Sequence, residues 1–465
     1  MLNVKKIGVV KNKNSHEIKS SMFGIGLEKL DRDMYDPTNA YPKLNELGVK
    51  YARIQSGWAK TEKEKGVYDF AWLDKIVDNL IKNSIEPWMC LCYGNGLYTP
   101  RANDHFMGIG CPPVDTQEEM NAWIRYCCEV VKHFKGRVCK FEIWNEPDGL
   151  ASWVSANGTN PVLYGNFAME TAKALKEISE DVYVIVGATT CLNSEWIDAM
   201  LGTGLYEYAD AVSYHRYTAL LEEGVLKQVP AFRAVLDKYG IKDLIQGESG
   251  CQSQPFGAGA LWEGAWDQEK QIKVLLRREL IDLISKVKFA SYYSSVDVDE
   301  ALIGVTGKAY FGVLANVYDE EGKITGKFIE KPSYRALQTV CSTFYDAKVV
   351  EGEIKYVPTW SLRYYTEDEN GEDFITSFFK KENGAKGFCY YKPTHVMTTA
   401  FESTFSCEIS GVSGEPRLVD LKDGTVYEFE KNNFVIENGI YRFKNIPVKD
   451  YPLLITFGDF IEVSK

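Results

Sequence analysis

From Ser21 to about residue 345, short apolar runs alternate with longer amphipathic segments, the pattern of repeated βα units around a parallel sheet. Eight runs qualify as strands: Met22–Leu27, Tyr51–Gln55, Pro87–Leu91, Val138–Trp144, Val182–Gly187, Ala211–His215, Leu244–Glu248 and Phe289–Ser294. Between them lie clear helical patterns. Phe70–Asn83 places Trp72, Ile76, Val77 and Leu80 on one face, Thr116–Phe134 opens on a capping box at Thr116-Gln117-Glu118-Glu119, and Asp267–Lys286 is long and amphipathic. A last helix, Lys331–Phe344, starts with Pro332 in its first turn. Eight units over about 320 residues match the size of an α/β fold of the (β/α)8 TIM-barrel type with loop insertions.

After Phe344 the period changes to two. Leu362–Tyr365, Phe374–Phe379, Gly387–Tyr391, Thr425–Phe429, Tyr441–Ile446 and Leu453–Phe457 alternate between turn signals such as Lys422-Asp423-Gly424, which predicts a C-terminal antiparallel β-sandwich. The expected division is a barrel over 21–345 and a sandwich over 346–465, with residues 1–20 supplying a strand to a distant sheet. No low-complexity linker separates the two, so a fixed interface is expected.

Charge narrows the partners. Lys+Arg 53 against Asp+Glu 65 gives 53 − 65 = −12 with no basic cluster, which argues against nucleic acid and anionic membranes. Tyr 28 and Trp 10 suit stacking on sugar rings, although most must fill cores. The 11 cysteines are odd in number and sit in apolar contexts (Cys90, Cys92, Cys127, Cys128, Cys139), as free, buried thiols in a reducing compartment would. His16, His105, His133, His215 and His395 have no metal-ligand spacing, and neither a cofactor nor a metal is expected. With no apolar leader pattern after Met1 and no membrane-length apolar run, the expected location is cytoplasmic; a homo-oligomer stays open.

The chemistry concentrates at two strand ends. Phe141-Glu142-Ile143-Trp144-Asn145-Glu146-Pro147 is an apolar strand ending in an acid, and Leu244-Ile245-Gln246-Gly247-Glu248 repeats the plan. Two carboxylates at the ends of two strands are the minimum equipment of a glycosidase. Glu146 is the expected acid/base, its proton retained through burial beside Trp144 and the charge of Glu248; Glu248 is the expected nucleophile, with Arg53 and Tyr217 as its supporting donors. Alternate strand residues face opposite ways, so Asn145 and Glu146 reach one substrate only if the strand breaks, as Pro147 suggests. Two long loops, Tyr93–Asp115 and Gly250–Gly264, would lie on the same face; Trp58, Tyr93, Tyr98, Trp262 and Trp266, in or beside strand-end loops, could stack on sugar, whereas Trp72 and Trp123 belong to helices. Glu142 reads as a barrel-internal partner and Glu28 as a further acid able to meet substrate. Asp297-Val298-Asp299-Glu300 and Glu367-Asp368-Glu369-Asn370 read as solvated loops.

Asn145-Glu146-Pro147 after the fourth strand, Glu248 after the seventh, Arg53 on the second and His215-Arg216-Tyr217 after the sixth resemble glycoside hydrolase clan A. Ala52-Arg53-Ile54-Gln55-Ser56-Gly57-Trp58, Glu62, Gly66-Val67-Tyr68-Asp69-Phe70 and Leu73-Asp74 look most like family 39, the β-xylosidase and α-L-iduronidase group, with families 5 and 30 as competitors. The resemblance implies that Asn145 binds the sugar 2-hydroxyl, that His215 lines the sugar site and that Tyr217 steadies Glu248. The clan's tryptophan at the eighth strand is replaced here by Ser291-Tyr292-Tyr293-Ser294-Ser295, so either a tyrosine, with Tyr292 the candidate, substitutes under the sugar or the pocket is shaped for an unusual glycone. The expected activity is retaining, exo-acting hydrolysis of a small β-linked, xyloside-like glycoside; the alternative is a pseudo-enzyme that binds carbohydrate without turnover.

Overall fold

The computed structural model of the chain describes residues 4–299, 307–359, 374–430 and 433–465. Eight parallel strands, Gly24–Gly26, Tyr51–Gln55, Glu86–Leu91, Lys140–Ile143, Tyr183–Thr189, Ala211–His215, Asp243–Ser249 and Ala290–Tyr292, close into a barrel. They are buried on both faces because helices wrap the outside and side chains fill the inside, so they read as apolar runs rather than alternations. The N-terminal end of the barrel is plugged by Trp88, Ile185, Ala211, Ile245 and Phe289, all fully buried. Glu28, Glu142 and Glu248 gather instead around Arg53, toward the end where the strands finish.

Local signals set the helix starts. Thr116 accepts from the Glu119 amide at 3.2 Å before Gln117–Phe134, Asn160 caps Pro161–Ile178, and Asp267 caps Gln268–Ile284. The long connection after Leu91 contains two short turns of 3-10 helix, Pro100–Asp104 and Phe106–Gly108.

The C-terminal strands form one eight-stranded and one four-stranded antiparallel sheet. Val4–Val10 joins the larger one by pairing with Thr425–Phe429. The barrel is clamped to these sheets through a buried ion pair in which Arg277 bonds both oxygens of Glu222, while the Tyr391 hydroxyl donates to the same carboxylate at 2.6 Å and Arg277 reaches the Thr394 carbonyl at 3.0 Å. Lys273 and the buried Asp450 add a second bridge at 2.7 Å.

Three expectations need correction or fall elsewhere. Asp297 is not solvated: it is 6% exposed and bonded to the Lys331 ammonium at 2.6 Å, because the chain after the eighth strand folds into a hairpin, Leu314–Tyr318 with Ile324–Glu330, over that loop. All 11 cysteines are free, yet Cys139 is exposed and Cys128 half-buried, since both lie at the outer rim of the barrel. The strand expected at Leu362–Tyr365 and the run Glu367–Asn370 lie outside the described residues. No helix among the described residues is long and apolar enough to cross a membrane.

Candidate active site

Arg53 organises the C-terminal end of the barrel. Fully buried, it donates from Nε to Glu142 at 2.7 Å, from Nη1 to Glu248 at 2.8 Å and Glu28 at 3.2 Å, and from Nη2 to the Asn145 amide oxygen at 2.8 Å. Glu142 is a barrel-internal partner, completed by the Ser213 hydroxyl at 2.6 Å. Glu248 receives its second bond from the Tyr217 hydroxyl at 2.5 Å. A guanidinium is suited to this task because its planar fork presents donors in several fixed directions at once.

Glu248 reaches this position through a bulge. Tyr214 pairs with Gln246 but His215 pairs with Glu248, so Gly247 is the extra residue of the seventh strand. A side chain at Gly247 would begin 2.7 Å from His215 Nε2 and 3.1 Å from Glu142 Oε1. Glycine is required here for space.

Glu146 is aimed by strain. The fourth strand stops at Ile143, after which Trp144 (φ 68) and Glu146 (φ 48) occupy the left-handed region, and across from them so does Ala188 (φ 47). Each such residue costs about 1–3 kcal/mol and persists only where neighbours hold it. The straps are visible: the Glu146 amide donates to the Ala188 carbonyl at 3.0 Å, the Trp144 indole to the Ser152 carbonyl at 2.8 Å, and the Asp148 carboxylate accepts from the Thr190 amide and hydroxyl, both at 2.8 Å. This is the break that lets Asn145 and Glu146 serve one cavity.

The Glu146 carboxylate meets His215 Nδ1 at 3.2 Å and the Ser152 hydroxyl at 3.3 Å; His215 Nδ1 is 3.9 Å from Glu248. Ligating atoms of Glu146, His215 and Glu248 all lie within 4.8 Å of one another. Such a trio could hold a cation, but the Arg53 guanidinium already places a positive charge on Glu248 at 2.8 Å.

The expected elevation of the Glu146 pKa is not found. Burial pushes it up, but the hydrogen bond and charge of His215, with Arg53 behind, outweigh burial and hold it below the ordinary glutamate value. His215 moves the other way: burial and Arg53 push it down, and the bonds and charges of Glu146 and Glu248 raise it above the ordinary histidine value. Both shifts act in the same direction, toward a carboxylate beside a charged imidazole. The Trp144 ring, expected to desolvate Glu146, is instead fully buried among Trp123, Trp153 and Phe167. Glu28 is the carboxyl that burial and the nearby Glu248 charge lift, to about 7.

These groups open on a cavity of ≈ 230 Å³. Of the residues singled out in the sequence, Glu146, Glu248, Asn145, Tyr217, Tyr93 and Glu28 line it. Arg53 and His215, both fully buried, stand behind the carboxylates as their partners. Trp58 does not reach the cavity: it is fully buried, stacks on Tyr98 and Tyr126, and donates to Glu62 at 2.6 Å. Tyr292 points into the packing outside the barrel, since strand alternation gives the cavity side to its neighbour Tyr293. Trp262 is 54% exposed on its loop and away from the lining, where Gly259 and Ala260 of the same loop stand instead; Trp266 is buried and bonded to the Leu261 carbonyl at 2.6 Å.

The lining also contains Lys29, Arg32 and Gln55, which the sequence reading passed over. Gln55 was accessible to it, because period two from Arg53 puts both on one face. Lys29 and Arg32 follow the first strand in an irregular turn, with Lys29 at φ 70, that no periodicity announces.

The model of glycosyl hydrolases family 39 matches residues 6–236. A curated relative, a beta-xylosidase of Geobacillus stearothermophilus, is 28% identical over 167 residues, 33% of this chain and 32% of that protein, so the match spans about a third of the relative. Among solved structures, a family 39 glycoside hydrolase of Bacteroides cellulosilyticus superposes with TM-score 0.68 at 16% identity, covering 97% of this chain and 83% of that one. A monomeric beta-xylosidase of Caulobacter crescentus gives TM-score 0.57 at 15% identity, covering 97% of both chains, and a GH30 endoxylanase of Clostridium papyrosolvens gives 0.54 at 12%, covering 98% and 99%. At these identities the superpositions speak for the fold, and the family model for a likeness over the first half of the barrel-bearing chain. Over residues 6–236 the chain is similar to family 39 of the glycosyl hydrolases.

Proposed function

We propose that the protein is a retaining, exo-acting glycoside hydrolase that cleaves a small β-linked, xyloside-like glycoside by double displacement. The observation that carries this reading is the approach of Glu146, just past the fourth barrel strand, and Glu248, near the end of the seventh, to within 4.8 Å. Retaining enzymes hold their carboxyl groups about 5–5.5 Å apart, whereas inverting ones need about 6.5–9.5 Å to admit a water. Glu248, its two oxygens held by Arg53 and Tyr217, attacks the anomeric carbon. Glu146 gives a proton to the leaving oxygen, drawing on the proton it shares with His215, and then takes one from the water that releases the sugar. Asn145, fixed by Arg53, faces the substrate beside the nucleophile.

Exo action rests on the cavity's size. At ≈ 230 Å³ it lies below the roughly 300–1,000 Å³ of sites for drug-sized ligands and suits one sugar unit. In this reading 21–345 is the catalytic domain, and 346–465 with the N-terminal strand braces it. The cytoplasm is the compartment that the free cysteines favour.

The test is release of chromophore from aryl β-xyloside, β-glucoside, β-galactoside, β-glucuronide, α-L-arabinosides and α-L-iduronide by wild type and Glu248→Ala. Turnover of one glycone, lost in the variant, supports the reading. Sugar binding with no turnover by the folded wild type would point to a pseudo-enzyme, and activity that survives Glu248→Ala but not a chelator would point to a metal-dependent hydrolase.

A further inference from the structure

Resting on the glycosidase reading above, we propose that Gln252 is a positioning residue that fixes one wall of the sugar cavity and thereby sets how bulky a glycone the cavity accepts.

That wall comes from two separate stretches of chain. Gly259 and Ala260 belong to the loop after the seventh barrel strand, and Phe311 follows the eighth. The lining segment of the loop is bracketed by Phe256 (φ 59) and Leu261 (φ 60), both in the left-handed region, which non-glycine residues keep only where neighbours impose it. Lys331 and Gln271 anchor the foot of the loop, at Ser253 and Cys251, whereas among the described residues the side-chain bonds to the lining segment itself come from Gln252. Fully buried, Gln252 donates from Nε2 to the Ala258 carbonyl at 2.8 Å and the Ala260 carbonyl at 3.3 Å, and its Oε1 accepts from the Tyr310 amide at 2.8 Å. One side-chain amide thus ties the loop to the residue before Phe311, and it spends both of its donors doing so. The fit is close, since a side chain at Gly257 would begin 2.3 Å from Gln252 Oε1.

Gly259, Ala260 and Phe311 offer no side-chain hydrogen bond, so this wall discriminates by shape alone, and its shape depends on where the loop is held. The wall also leans on the nucleophile's support. A Cβ at Gly259 would stand 3.3 Å from the Phe311 ring, and Phe311 meets the ring of Tyr217 edge-on with centres 5.6 Å apart. The Tyr217 hydroxyl bonds Glu248, which Arg53 holds independently. Slackening the wall therefore weakens sugar binding more than turnover, and it lets a cavity of ≈ 230 Å³, sized for one sugar unit, admit a larger one.

The experiment measures kcat and KM for aryl β-xyloside and aryl β-glucoside, which differ by one hydroxymethyl group, in wild type, Gln252→Glu and Gln252→Met, beside calorimetric binding of xylose and glucose to the same three proteins. Glutamate keeps the shape but sets an oxygen against two carbonyls; methionine keeps the length without charge and carries the test if the glutamate variant does not fold. The expected result is a KM that rises more than kcat falls and a glucoside-to-xyloside ratio of kcat/KM that rises about tenfold, the scale on which a pocket reads one small group. An unchanged ratio, whether from equal losses on both glycosides or from wild-type constants, assigns Gln252 at most a structural role, overturns the inference and leaves the glycosidase reading standing. If no glycoside is cleaved the glycosidase reading fails, and binding decides the inference: a preference for xylose over glucose that falls in the variants supports it, and an unchanged preference or no binding overturns it.

Discussion

Replacing Gly247 by alanine tests how the site is assembled without touching a reacting group. The added Cβ would sit 2.7 Å from His215 Nε2 and 2.8 Å from its Cδ2; ordinary contact begins at 3.4 Å, so the ring must retreat by 3.4 − 2.7 = 0.7 Å. It has little room, being fully buried, and Glu142 Oε1 lies 3.1 Å from the same methyl with its bonds to Arg53 and Ser213 already made. Overpacking of this kind costs about 1–3 kcal/mol, read as a fall of a few degrees in Tm. The larger effect is on catalysis. A 0.7 Å displacement stretches the 3.2 Å contact between His215 Nδ1 and Glu146, and misplacements near 1 Å cost on the order of 100-fold. The expected kcat on the best aryl glycoside is therefore about 10- to 100-fold below wild type, in a protein that still melts cooperatively. An alanine variant with wild-type kcat would refute the claim that Gly247 spaces the histidine from the bulge.

Other substitutions probe separate parts of the account. In His215→Gln the proton shared with Glu146 loses its more basic holder, so the basic limb of the kcat/KM profile, expected above the ordinary histidine value of 6.5 in wild type, should move toward acid pH; an unmoved limb would exclude the shared proton. Glu222→Gln removes one charge of the buried pair that joins barrel to sandwich, and should cost about 3–5 kcal/mol in denaturant unfolding, while a wild-type midpoint would show that the pair does not hold the interface. Because Arg277 depresses the Glu222 pKa against the opposing push of burial, this contribution is present above the ordinary value of 4.5 and is lost as pH falls below it; the Glu222→Gln variant should therefore show less of the wild type's loss of stability below that pH. Asp148→Ala releases the strap to Thr190 and should lower kcat more than it raises KM, since it frees the loop that aims Glu146.

The barrel was legible because its strands are apolar throughout and its helices carry their own caps; Tyr51–Gln55 and Ala211–His215 were located to the residue. The sandwich was harder to read. Strands such as Pro416–Asp420 and Glu402–Ile409 mix charged residues into half-buried positions, and only tertiary pairing makes them strands. At the site, the two glutamates and Arg53 declared themselves because each ends or lines a strand. The aromatic residues misled for a physical reason: a loop position says nothing about whether a ring turns outward, as Trp262 does, or packs beneath the loop, as Trp58 does. The proton balance was likewise hidden, since it depends on a contact between the fourth and sixth strand ends, Glu146 with His215, that no local pattern encodes.

The most direct test of the central claim is covalent trapping. The protein would be incubated with the 2-deoxy-2-fluoro glycosyl fluoride of its preferred glycone and its peptides mapped by mass. The account predicts one sugar per chain on the peptide carrying Glu248, with inactivation in step with labelling. A sugar on the peptide carrying Glu28, or turnover without any adduct and with inversion at the anomeric carbon, would contradict it.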